Sequence, residues 1–160
     1  MSNVINKRDL TPEEEIKLRE YREKYIGLVF NTEPMDKEGA MEAMNQLYAL
    51  AGRELPRYEF VDDPVQLQLR ANELLEYDKL TYITCYLDGQ FDASMVGYYK
   101  FMIEELGATL DNEKAMNVFL AMEKLAESCA WALELTDVCI ICDRPKYIFS
   151  DEQLRLHCDY

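Results

Sequence analysis

After a polar start, the first amphipathic stretch opens at Leu10-Thr11-Pro12-Glu13-Glu14-Glu15. Ile16, Tyr21, Tyr25, Leu28 and Val29 then recur at roughly helical intervals, which predicts a helix from Pro12 to about Phe30. Thr11 suits the N-cap, Pro12 spends no amide in the first turn, and Glu14 completes a capping box. The Asn31-Thr32-Glu33-Pro34-Met35-Asp36 segment breaks the pattern. A second helix follows from Lys37 to about Ala51, with Ala40, Met44, Leu47, Tyr48 and Ala51 on one stripe and Gly52 closing it. Tyr58, Phe60 and Val61 form a short extended segment. Asp63 and Pro64 read as the cap and first position of a third helix, reaching about Tyr77. Thr81 to Leu87 stays open: its β-branched and aromatic residues favour a strand locally, whereas packing could hold it helical.

The stretch from Phe91 to Gly107 predicts a fourth helix, with Met95, Tyr98, Tyr99, Met102 and Leu106 on its apolar side. A fifth, capped near Asp111, is lined by Met116, Phe119, Leu120, Leu125 and Cys129. The period then changes. Val138 to Cys142 is continuously apolar, and Tyr147-Ile148-Phe149 is short and β-prone. Together they predict a small sheet after the helices, as a C-terminal hairpin packed on them. The expected fold is α+β and mainly helical, with about five helices and a small C-terminal β hairpin or sheet. Residues 1–10 are expected to be a flexible tail and residues 11–160 one globular domain, since no internal repeat or linker divides them.

At 160 residues a chain buries roughly 70% of its unfolded surface, enough for a core without disulfides. The formal net charge of −14 is spread over both halves of the sequence. Such a field repels nucleic-acid phosphates and anionic membranes, so direct nucleic-acid or membrane binding is not expected. Basic protein surfaces are favoured partners, including the cationic grooves of nucleic-acid-binding proteins. No apolar run approaches a membrane span, and the first ten residues lack the apolar core of a signal peptide. Five cysteines, an odd number without short regular spacings, suit reduced thiols. The expected location is the cytoplasm.

Several stretches taken in order carry a resemblance: Leu10 to Glu15, Tyr21 to Tyr25, Thr32-Glu33-Pro34, Gly89 to Ala93, Trp131 ahead of Val138 to Pro145, and Asp151 to His157. In sequence and spacing they resemble an uncharacterised bacterial and phage-associated family of unknown function, common in cyanobacteria. The resemblance spans nearly the whole chain and implies no activity or catalytic residues. In that family pattern the Arg155-Leu156-His157 segment runs into a Gly-Pro-Ala stretch and a further β region, whereas this sequence stops at Tyr160. A function housed in that extension is expected to be missing here, and the chain to be either a trimmed form or a helical body that suffices alone.

Cys139, Cys142, His157 and Cys158 are the metal-ligand types that cluster, and zinc takes four such groups in a tetrahedron. In an extended Val138 to Cys142 segment, however, Cys139 and Ile141 face one way and Ile140 and Cys142 the other. Without a turn the two sulfurs cannot converge, and the expected role of both is that of small buried hydrophobes, with no metal or other cofactor. A Cys142–His157 nucleophilic pair would need a thiol of lowered pKa, and the apolar neighbours act in the opposite direction. Asp143 and Arg144 could pair at the strand end, where Pro145 would stop the ladder. The acidic pairs supply the candidate partner-binding residues Asp62, Glu104, Glu105, Asp151 and Glu152, with Asp63 serving as a cap. Tyrosines or methionines left exposed beside such carboxylates would make a protein-binding patch. The leading expectation is a non-enzymatic acidic interaction module, in its sharper form a phage-type nucleic-acid mimic that inhibits a basic protein. A small zinc-supported domain and a cysteine-dependent enzyme are the alternatives.

Overall fold

The computed structural model describes residues 9–76, 88–153 and 155. Helix α1 spans Pro12–Val29 and begins with the reciprocal cap expected of its sequence: the Thr11 side chain accepts from the Glu14 amide and the Glu14 carboxylate from the Thr11 amide. Helix α2 covers Lys37–Leu50, capped by Asp36. It ends in a Schellman turn in which Gly52 takes φ 70°, with its amide on Ala49 O and that of Arg53 on Tyr48 O. Strand β1 is Arg57–Val61, and helix α3 is Pro64–Leu74, with the Asp63 carboxylate accepting from the Gln66 amide. The expected end of α3 at Tyr77, and the open Thr81 to Leu87 stretch, lie outside the described residues.

A short 3-10 turn, Gln90–Asp92, leads into helix α4, Ala93–Glu104. The stripe expected on this helix faces the core only in part: Met95, Met102 and Leu106 are half-buried, and no member of it is fully buried. Ala93, Val96, Gly97 and Phe101 are buried instead, while Tyr98 and Tyr99 stand 53% and 48% exposed. The reason is close approach: a Cβ on Gly97 would lie 2.5 Å from Tyr25 Cγ, so the small-residue face seats α4 against α1. Helix α5, Glu113–Ser128, is capped by Asn112, one residue beyond the expected Asp111. Leu125 and Cys129 are buried as its pattern predicts, but Leu120 is 47% exposed.

Strands β2, Trp131–Glu134, and β3, Val138–Cys142, form a hairpin, and β3 also pairs in parallel with β1, giving the order β1-β3-β2. The sheet therefore departs from a purely C-terminal hairpin in two ways. It recruits Arg57–Val61 from far upstream, and Tyr147-Ile148-Phe149 forms no strand. With α2 and α5 packed on one face and α3 on the other, β3 is buried on both faces, which explains its unbroken apolar run. Cys139 and Ile141 join Ala132, Tyr58 and Phe60 against α2 and α5. Ile140 and Cys142 join Leu133 and Val138 against Leu67 and Ala71 of α3. Helices α1 and α4 complete a third cluster with Ala126 of α5.

The α3 face also holds an ion pair, with Glu59 gripped by both ends of the Arg70 fork, Nε–Oε2 at 2.6 Å and Nη2–Oε1 at 2.9 Å. Chiefly through the Arg70 bonds, and against some desolvation, the Glu59 carboxyl is held down to about 2. Its contribution to stability is present above the ordinary carboxylate range and is lost as pH falls from about 4.5 toward 2. Glu59→Gln is thus expected to be less stable than the wild type at neutral pH, with the gap closing as pH falls through that window. Urea unfolding of both proteins across the range measures it; a gap that stays constant would show that Glu59 ionisation contributes nothing.

Candidate functional site

Two of the strands run in parallel and so end at the same edge of the sheet, where the chain places an aspartate after each: Asp62 after β1 and Asp143 after β3. The Asp143 amide makes the last bond of the ladder, donating to Val61 O at 2.9 Å. In open sheets the carboxyl edge of parallel strands is where ligands tend to bind, because the loops diverge there and leave a crevice. Here the crevice has a volume of about 620 Å³. Its aromatic wall is built on the stacked pair Phe91–Trp131, with ring centroids 4.8 Å apart and planes at 23°. Tyr147 and Phe149, which would be core residues in a terminal strand, line it instead and are 78% and 54% exposed.

Among the described residues three carboxylates share this crevice, and they differ in what they already do. Asp63 caps α3 and accepts from both the amide and the side-chain Nε2 of Gln66. Asp143 Oδ1 accepts from the Met35 amide at 2.8 Å and the Arg144 amide at 2.7 Å. Asp62 is exposed, and its carboxylate makes no hydrogen bond or ion pair among the described residues. Among the described residues Lys146 is the one basic residue of the lining, leaving two net negative charges from these side chains around the aromatic wall.

Arg144 does not form the ion pair with Asp143 that adjacency suggests. Its side chain is only 6% exposed, and its guanidinium donates to three backbone carbonyls: Glu33 at 3.1 Å, Pro34 at 3.0 Å and Glu127. The first two belong to the α1–α2 connection. The last lies at the C-terminal end of α5, where the helix carries partial negative charge. Gln90 works beside it, donating through Nε2 to Val29 O and Asn31 O, both at 2.8 Å. These groups fasten the connection that carries Met35 to the crevice edge.

The remaining acidic candidates lie elsewhere. Glu104 and Glu105, at the end of α4, accept from the Tyr21 hydroxyl at 2.5 and 3.2 Å, and Glu104 lies 3.8 Å from Lys100. Lys100 also reaches the buried Glu123, which accepts from Tyr25 as well; burial opposes ionisation of Glu123, but these two bonds hold its pKa below the ordinary value. Asp151 is engaged by Arg155, Nε–Oδ2 at 2.6 Å, while Glu152 is exposed. Of the five residues expected at an interface, the crevice therefore contains Asp62 only.

Cys139 and Cys142 are fully buried on opposite faces of β3, in separate clusters, so they do not share an ion. Burial is the main cause that raises both thiols to about 12, reinforced at Cys142 by Asp63, Asp143 and Asp62. Neither is an activated nucleophile at neutral pH. His157 and Cys158 lie outside the described residues. Among the described residues no trio of His, Cys, Asp or Glu is placed to hold a metal ion, Asp62, Asp63 and Asp143 included. No helix of the described residues is long and apolar enough to cross a membrane.

The aromatic half of the crevice was not legible as a site in the sequence. A signal existed in the matching form of two segments: Phe60-Val61-Asp62 and Ile141-Cys142-Asp143 each end a β-prone run on an acid. No family model matches the chain, and no curated protein or solved structure matches it.

Proposed function

We propose that the protein is a non-enzymatic acidic interaction module that engages the basic surface of a partner protein, with the crevice at the carboxyl edge of the sheet as its principal contact. The observation that carries this reading is the exposed aromatic wall of Tyr147 and Phe149 set beside the exposed carboxylate of Asp62, within a chain of net charge −14. Aromatic rings supply contact area at small entropic cost, and the carboxylates select positive partners and speed encounter. In the sharper form of the proposal, the partner is a nucleic-acid-binding protein whose cationic groove the acidic surface occupies in place of phosphates. The buried thiols of Cys139 and Cys142 give no support to cysteine catalysis.

The test is capture from host lysate on the immobilised protein at about 50 mM salt and again at about 500 mM, where screening has shortened the reach of surface charge. The expected result is a set of basic proteins held at low salt, released at high salt and displaced by added double-stranded DNA. Capture that is indifferent to salt would overturn the proposal.

A further inference from the structure

Resting on that reading, we infer that the crevice is selective for an arginine side chain of the partner, presented in a short basic segment. Three features of the lining decide the chemistry. The wall of Phe91, Trp131, Tyr147 and Phe149 presents aromatic surface, on which a planar guanidinium stacks and gains both dispersion and quadrupole attraction. Asp62 lines the crevice, exposed and with both carboxylate oxygens uncommitted among the described residues, and these match the paired N–H groups of a guanidinium edge. The volume of about 620 Å³ holds such a side chain together with the backbone on either side of it.

Competing ligands fit less well. The amino end of α3 opens on the crevice and would favour an anion, but Asp63 already caps it, and Asp62 and Asp143 repel a phosphate. Among the described residues no ligands converge to hold a metal ion. A lysine ammonium satisfies the charge but is strongly hydrated and has no flat face to lay on the rings. Lys146 weakens attraction for any cation equally, so it does not alter the preference between arginine and lysine.

Trp131 is the only tryptophan of the chain and forms part of the wall, so its emission reports directly on the crevice. The experiment titrates the full chain with the blocked tripeptide Gly-Arg-Gly and, separately, with Gly-Lys-Gly of equal charge. The expected result is a saturable change in Trp131 emission, with arginine bound at least about five-fold more tightly than lysine. Asp62→Asn and Phe149→Ala, both at exposed positions, should each weaken the arginine response by about five-fold or more while leaving the urea midpoint unchanged. Equal response to the two peptides, no saturable response, or full binding by both variants would overturn the inference. The lysate capture separates the two proposals. If both variants still capture basic proteins at low salt, arginine recognition and the crevice as principal contact fail while the acidic interaction surface stands; salt-indifferent capture by the wild type removes the module itself.

Discussion

Truncating Ile141 to alanine is expected to destabilise the protein by about 4 kcal/mol, the larger part of the range for emptying a buried branched site. Ile141 is 0% exposed, and its strand is bonded on both edges, to Phe60 of β1 and Ala132 of β2. Collapse into the space is therefore blocked: β3 cannot shift toward α2 and α5 without breaking two ladders, and the cavity persists. A protein of this size is stable by only about 5–15 kcal/mol, so a loss of this order removes a quarter or more of the total. Leu120→Ala is the internal comparison. Leu120 sits on α5 in the same apolar pattern but is 47% exposed, and its truncation should change stability by about 0.5 kcal/mol or less. Urea unfolding followed by circular dichroism measures both, and similar losses for the two variants would show that β3 is not the centre of the core.

Replacing Arg144 by methionine is expected to cost about 3 kcal/mol, through a different cause. Methionine keeps much of the buried stem but strips the bonds from the carbonyls of Glu33, Pro34 and Glu127, which no longer tie the α1–α2 connection to the end of α5. Lysine keeps the charge and should recover less than half of the loss, because one ammonium cannot span three carbonyls as a planar fork does. Amide hydrogen exchange gives a local readout. The Met35 amide, bonded to Asp143 Oδ1, and the Asp36 amide, bonded to Ser128 O, should lose protection in Arg144→Met before the sheet amides do. Unchanged protection at those two amides would mean that the connection is held by something other than Arg144. Because Asp143 also lines the crevice, the same variant should loosen the edge where the partner is proposed to seat.

The parts of this molecule that were legible in its sequence are those settled within a few residues. The capping box of Thr11 and Glu14, the Asp63-Pro64 start of α3 and the Gly52 stop of α2 are each satisfied by groups close in the chain, so their chemistry is written locally. The alternation along Val138 to Cys142 was legible for the same reason: an extended backbone sends successive side chains to opposite sides whatever surrounds it. That already separated Cys139 from Cys142. The face of α4 was not legible, because apolar character pointed to Tyr98 and Tyr99, whereas the fit of Gly97 against the Tyr25 ring turned the small residues inward. Likewise Tyr147-Ile148-Phe149 has strand-like composition, but β3 already had both edges occupied.

What the amino-acid order determined by itself is the mainly helical α+β character, the capped ends of its helices, the sidedness of β3 and an acidic charge of −14. What only the tertiary structure decided is the parallel pairing of Arg57–Val61 with Val138–Cys142, and with it the meeting of Asp62 and Asp143 beside the Phe91–Trp131 wall. The physical reason is range: caps and alternation depend on neighbouring bonds, whereas a pairing across some eighty residues depends on which buried surfaces best exclude water together, a property of the whole core.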